Sequence, residues 1–140
     1  MKPVEVSTVI HRPIAEVYAH LDVLANHEAF TDHFLKDWTV LGADRARFRA
    51  QREVLELEVV GRTAPEGTVE RTVGAGGRRV TRGTYRLTEE GPARTGVRFE
   101  LAFERVPRRE RLVAPLVRAW LRRVNQRAMD RLREVLAPAP

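Results

Sequence analysis

The chain has 140 residues, the size of one ordinary domain and enough to bury a core without cross-links. It contains no cysteine, which excludes disulfides and thiolate chemistry, and no apolar stretch long enough to span a bilayer or to act as an export signal. Its formal net charge of +6 comes almost entirely from arginine, so nucleic acid must be weighed as a partner class. We therefore expect one soluble, cytoplasmic domain over 1–140, with no transmembrane segment.

Val4 to Ile10 opens in alternation, with Val4, Val6 and Ile10 set against Glu5 and Ser7, which predicts a strand. Pro13 suits a first helical turn, and Ile14, Val17 and Leu21 recur at helical spacing, so a short helix is expected from Pro13 to Asp22. Leu24 to Leu35 reads as a second helical piece. Trp38, Val40 and Leu41 begin extended structure, which turns at Gly42-Ala43-Asp44. Ala46, Phe48 and Ala50 then alternate with arginines, and Leu55, Leu57 and Val59 with Glu56 and Glu58. Val69, Arg71 and Val73 share one face of the next strand, expected to point inward. Thr81, Gly83, Tyr85 and Leu87 share a face, and Val97, Phe99, Leu101 and Phe103 alternate with polar and charged residues. Turns at Pro65-Glu66-Gly67, Gly74-Ala75-Gly76-Gly77 and Glu90-Gly91-Pro92 make this an antiparallel meander with one wet face. From about Arg108 to Leu136 the pattern is helical. Its apolar stripe runs from Val113 through Val117, Trp120, Val124, Ala128 and Leu132 to Val135, and Pro115 either kinks the helix or marks its true first turn. Pro138-Ala139-Pro140 is expected to be a frayed tail.

A sheet with one apolar face must cover it, and two short helices cannot cover six strands. The terminal helix can, at roughly 1.5 Å per residue. The expected fold is α+β: a curved antiparallel sheet of about six to seven strands wrapped around a long C-terminal helix, with two short helices after the first strand. Curvature would leave a cavity between sheet and helix. The stretch His11-Arg12-Pro13-Ile14-Ala15-Glu16-Val17-Tyr18-Ala19-His20-Leu21 after the first strand resembles the opening motif of the helix-grip superfamily. Gly83-Thr84-Tyr85-Arg86-Leu87 followed by Gly96-Val97-Arg98-Phe99 resembles its late hairpin. This is the SRPBCC or START-like superfamily, which includes the Bet v 1-like and the polyketide cyclase/dehydrase and lipid-transport groups. The resemblance spans nearly the whole chain and rests mainly on the order of elements. It implies the grip fold and its cavity. Members range from lipid or sterol carriage to polyketide cyclisation, so the resemblance implies function far more loosely than fold.

The candidate ligand-binding residues are those expected on the inner surfaces. Phe30, Phe34, Phe48, Leu57, Phe99 and Trp120 would be walls, with ordinary core packing as the alternative for the aromatic ones. Tyr85 would offer a hydroxyl to a ligand or be a satisfied core tyrosine. Arg71, by its parity with Val69 and Val73, would orient a ligand carboxylate or carbonyl. Its alternatives are an inward glutamate partner or a solvated position on a bulged strand. Arg127 and Arg131, one turn apart, would admit an anionic head group or form a solvated face. His27-Glu28 is followed by a histidine only at His33, which is not the His-Glu-x-x-His spacing, so no metal is expected. Gly74 to Gly77 joins two strands instead of opening a helix and is no phosphate loop. Ser7 is the single serine, and no Ser-His-acid set can be assembled around it.

With no nucleophile, metal set or phosphate loop in view, and no cofactor expected, the leading reading is a non-catalytic protein. It would bind or carry a small hydrophobic or lipid-like molecule in the cavity. The alternative is a polyketide cyclase or aromatase-type enzyme in which Tyr85 and Arg71 polarise a carbonyl. Nucleic-acid binding ranks third, because Glu53, Glu56 and Glu58 interrupt the arginines of the sheet surface. The oligomeric state is left open.

Overall fold

Alternation of apolar and charged residues builds seven strands, seen in the computed structural model, which describes residues 1–138. Positions 139–140 of the expected tail lie outside the described residues. The strands are β1 (Val4–Ile10), β2 (Lys36–Gly42), β3 (Arg45–Ala50), β4 (Glu53–Thr63), β5 (Gly67–Gly74), β6 (Arg79–Gly91) and β7 (Arg94–Arg105). They form one sheet in the order β1-β7-β6-β5-β4-β3-β2, with each neighbouring pair antiparallel. All pairings but β1 with β7 join strands adjacent in sequence, as a meander requires. The expected α+β grip, a curved antiparallel sheet with a long C-terminal helix, is the observed fold.

The first connection runs from one sheet edge to the other. It consists of α1 (Ile14–Leu21), a 3-10 turn at Leu24–His27 and the one-turn α2 (Glu28–Thr31). The second helical piece is thus shorter than its apolar content suggests. The Thr31 hydroxyl donates to the His27 carbonyl at 2.8 Å, a local bond that competes with helix continuation, and the chain turns away after it. The terminal segment is two helices, α3 (Arg108–Leu112) and α4 (Ala114–Val135), separated by a non-helical Val113. Pro115 sits in the first turn of α4, where its missing N–H costs nothing.

Only part of α4 is gripped. Ala128, Met129 and Leu132 pack with Val6, Ile10, Val17, Leu21 and Phe30 in the main core, and Val124 is also buried. Val113 and Val135, expected on the buried stripe, are exposed instead, because each lies at or beyond the end of the packed stretch. Leu116 is 72% exposed, whereas Leu132 is fully buried. Polar contacts fix the anchored half. Gln126 donates to the Ser7 carbonyl at 3.0 Å, Arg12 to the Leu136 carbonyl at 3.0 Å and His33 Nε2 to the Val124 carbonyl at 2.9 Å. Arg131 pairs with Asp32 on the outside of this contact, which gives it a structural partner and no place at the cavity.

A second, smaller cluster of Leu24, Ala46, Phe48, Leu55 and Leu57 sits under β3 and β4. The interior is therefore two cores with a gap between them. Among the described residues no helix is long and apolar enough to cross a membrane.

One strand inverts its expected parity. On β5 the buried residues are Thr68, Glu70 and Thr72, while Val69, Arg71 and Val73 are only partly buried. Register explains this, since directly paired residues of antiparallel strands share a face. Thr72 pairs with Leu57, Glu70 with Gly83 and Thr68 with Tyr85, and those partners point inward. Arg71 therefore points outward, where its guanidinium lies 3.5 Å from Glu104. The inward placement expected for Arg71 is corrected here.

The half-gripped helix predicts an asymmetry along α4. Leu132→Ala should cost about 2–5 kcal/mol of stability, as for a fully packed leucine. Leu116→Ala should stay within about 0.5 kcal/mol. Urea unfolding of both variants checks it, and comparable losses would contradict the one-ended packing.

Candidate ligand-binding site

Where α4 leaves the sheet, a cavity of about 440 Å³ opens between them. Its walls draw on both apolar clusters. Phe34, Tyr85, Phe99 and Leu101 come from the side of the main core, and Trp38, Phe48, Leu55 and Leu57 from the smaller one. The first turns of α4 supply the roof through Leu116, Val117, Trp120 and Leu121. Of the residues expected as walls, Phe34, Phe48, Leu57, Tyr85, Phe99 and Trp120 line this space. Phe30 does not. It is fully buried within the solid core beneath, because α2 turns its ring towards Val17, Leu21 and α4. Arg71 lies on the outer face of the sheet and is likewise absent from the lining.

The aromatic lining is continuous. His27 stacks on Trp38 at 5.8 Å between ring centroids, and Trp38 stacks on Phe48 at 5.4 Å. In the other direction His27 meets Tyr85 edge-on at 5.9 Å, and Tyr85 packs on Phe99 at 4.6 Å. His27 Nε2 donates to the Leu21 carbonyl at 2.7 Å, which leaves Nδ1 as the unprotonated nitrogen of a neutral ring. Burial pushes its pKa down to about 4, partly offset by that hydrogen bond. Glu28 beside it is exposed, and among the described residues no three His, Asp or Glu side chains gather as a metal cage.

The most unusual wall residue is Glu70. It is 9% exposed and sits on the inward face of β5 in an otherwise mostly apolar cavity. No ion pair or hydrogen bond compensates it among the described residues, and burial alone pushes its pKa up to about 8. Gly83 makes room for it. A Cβ at that position would lie 2.9 Å from the Phe99 ring and 3.1 Å from Glu70 Cγ, so glycine leaves both side chains room over β6. Burial, with the neighbouring Glu70 charge, holds the Tyr85 phenol well above its usual range. A second polar group stands near the exposed end. Arg79 on β6 donates to Glu53 of β4 at 2.6 Å and to both carboxylate oxygens of Glu110 on α3. Gln51 and Leu116, both exposed, mark the mouth beside this bridge.

Sequence reasoning missed Glu70, His27, Trp38 and the Glu53–Arg79–Glu110 bridge. Glu70 had a usable signal, since an inward Gly83 implies an inward cross-strand partner. The bridge had none, because it joins residues 26 and 31 positions apart.

A family model described as polyketide cyclase / dehydrase and lipid transport matches residues 1–137. No curated protein matches the sequence. Among solved structures, a conserved protein from Geobacillus kaustophilus superposes with a TM-score of 0.78 at 13% identity, covering 96% of this chain and 95% of that one. A START superfamily protein from Mycobacterium smegmatis gives a TM-score of 0.76 at 12% identity, covering 96% of each chain. A protein from Thermus thermophilus gives 0.72 at 22% identity, covering 96% of this chain and 97% of its own. At these identities the likeness is one of fold.

A buried carboxyl predicts an unusual stability profile. Unfolded, Glu70 ionises near 4.5, whereas folded it keeps its proton to about pH 8. Between those values the unfolded state binds fewer protons, so stability falls as pH rises and levels off above about 8. The full window is worth roughly 3–5 kcal/mol at about 1.4 kcal/mol per pH unit. His27, neutral in the fold, acts in the opposite sense as pH drops from 6.5 through about 4. The readout is therefore the difference between wild type and Glu70→Gln. The variant should gain on the wild type steadily from about pH 5 to about pH 8 in urea unfolding, and parallel profiles would rule out a buried neutral carboxyl.

Proposed function

The chain belongs to the polyketide cyclase / dehydrase and lipid transport family, and from that premise we propose that it binds and carries a small hydrophobic or lipid-like molecule in the cavity under α4. The observation that carries this reading is the cavity of about 440 Å³ walled by Phe34, Phe48, Leu57, Phe99, Leu101 and Trp120. Protein interiors are normally filled, and unfilled apolar space costs stability. A guest that removes these walls from water gains about 25 cal/mol per Å² before ordering costs. The arginine-rich surface favours this reading over nucleic-acid binding. Arg45, Arg71, Arg82, Arg94 and Arg98 each pair with a glutamate of the sheet. A cysteine-free chain suits a reducing compartment, and we place the carrier in the cytoplasm.

One observation favours a cyclase-type activity as a second reading. Glu70 and Tyr85 are buried together on the wall, and a carboxyl with a pKa of about 8 can both give and take a proton near neutral pH. Arg71, facing outward, has no part in such chemistry.

Diphenylhexatriene, an uncharged hydrocarbon, should bind the wild-type protein with a rise in fluorescence. Native mass spectrometry of protein from its own host should show a retained apolar mass. Leu57→Trp, which fills the space from β4, should weaken dye binding at least about ten-fold while circular dichroism shows the fold retained. Dye affinity equal in both proteins, with no retained mass, would sink the carrier reading.

A further inference from the structure

The charges of the cavity run opposite to those of the chain. The protein carries a net +6, yet the cavity wall holds three carboxyl groups, Glu53, Glu70 and Glu110, against the single guanidinium of Arg79. Arg79 is already bound on both sides by Glu53 and Glu110, so it has no unmatched charge for a guest. His27, the remaining basic group of the lining, is a neutral ring. Thr31, Thr72, Thr81 and Asn125 add only uncharged polarity. An anionic ligand would find no unmatched cation here, and above about pH 8, where Glu70 ionises, it would meet a repelling carboxylate.

A cation would find both of its usual partners. Glu70 pairs with Gly83 of β6 and Val59 of β4, lies near Tyr85, and shares with the Phe99 ring the space over Gly83. Tyr85, whose phenol feels the Glu70 charge, is the ionisable group beside it, and burial is what shifts Glu70 itself. Tyr85 and Phe99 beside it are one end of the connected series of rings that runs on through His27 and Trp38 to Phe48. The faces of Trp, Tyr and Phe attract ammonium groups, most strongly when water is excluded. We propose that the ligand of this cavity is an amphiphile with a basic nitrogen, whose ammonium group pairs with the Glu70 carboxylate against these rings while its apolar body fills the space under α4. This rests on the cavity-binding reading above and names the chemical class of its guest. It also accounts for a carboxyl that otherwise only destabilises the fold. Binding has a proton balance. Below about pH 8 the empty site holds Glu70 protonated, so each ammonium bound releases one proton from that carboxyl to solvent.

Trp38 and Trp120 are the two tryptophans of the chain and both line the cavity, so intrinsic fluorescence reads occupancy directly. The probes are dodecylamine, dodecan-1-ol and dodecanoate, matched in chain length and kept below their micelle concentrations. The arginine surface attracts dodecanoate and repels dodecylamine, so a preference for the amine must arise in the cavity. At about pH 8.5 dodecylamine should bind the wild type at least about ten-fold more tightly than dodecan-1-ol, with dodecanoate weakest. From about pH 6 to about pH 8 the amine affinity should rise by up to about ten-fold per pH unit. In Glu70→Gln the amine and alcohol affinities should converge to within about two-fold.

Dodecan-1-ol or dodecanoate equalling the amine in the wild type, or an amine preference that survives in Glu70→Gln, overturns the proposal. The pH series on the wild type decides the matter even if the variant folds poorly, and an amine affinity flat with pH counts against it. Alcohol binding without amine preference removes only this inference. Failure of all three probes and of diphenylhexatriene removes the carrier reading with it.

Discussion

Everything in this structure depends on α4 being held at one end. From Ala128 to Leu132 the helix is packed into the main core, and bonds from Gln126 to β1 and from His33, just past α2, tie it down. From Leu116 to Leu121 the same helix lines the cavity and has no buried residue. A rigid rod over a twisted surface can match it along only part of its length. The mismatch is the cavity. Filling it would take side chains longer than those β3 and β5 present, since Ala50 and Thr72 are short where they line the gap.

Strand β5 also carries a cost that packing alone does not explain. It turns Val69 and Val73 to the outer face and Glu70 inward. Exchanging the two faces would bury Val69 and Val73 but also the Arg71 guanidinium, so either face of this strand brings a charge-bearing side chain inward. Proteins break such local rules mainly where function requires it. Gly83 supports this view. A residue there with a Cβ would fill space against the Phe99 ring, and glycine leaves that space to Glu70.

Much of the fold was legible because its elements obey simple periods. The alternation of Leu55, Leu57 and Val59, or of Val97, Phe99 and Leu101, identifies strands and their inner faces without reference to neighbours. The terminal stripe identifies the covering helix, and Pro115 correctly marks a first turn. The wall was legible where a residue's own strand decided its direction, as for Phe48, Leu57, Tyr85 and Phe99. It was not legible where tertiary register decided. Valine parity pointed Arg71 inward, and only pairing with Gly83 and Leu57 shows that Glu70 and Thr72 take that face. Phe30 and Phe34 lie four residues apart on one helical piece, yet the chain turns after Thr31 and leaves one in solid core and the other on the wall. No pattern within that piece separates them.

The two ends of the cavity are closed by different physics. The inner end rests on Phe30, Met129 and Leu132, fully or almost fully buried, and opening it would expose side chains each worth about 2–5 kcal/mol in packing. The outer end is held by Arg79 between Glu53 and Glu110, partly exposed ion pairs of about 1 kcal/mol each, and by α3, none of whose residues is buried. Val113, outside helical geometry, lies between α3 and α4. Separation of α3 from the sheet thus disturbs little apolar contact, while separation of α4 at its far end disturbs the core. The weaker closure is therefore the one that α3 and the Arg79 bridge make, beside the exposed Gln51 and Leu116.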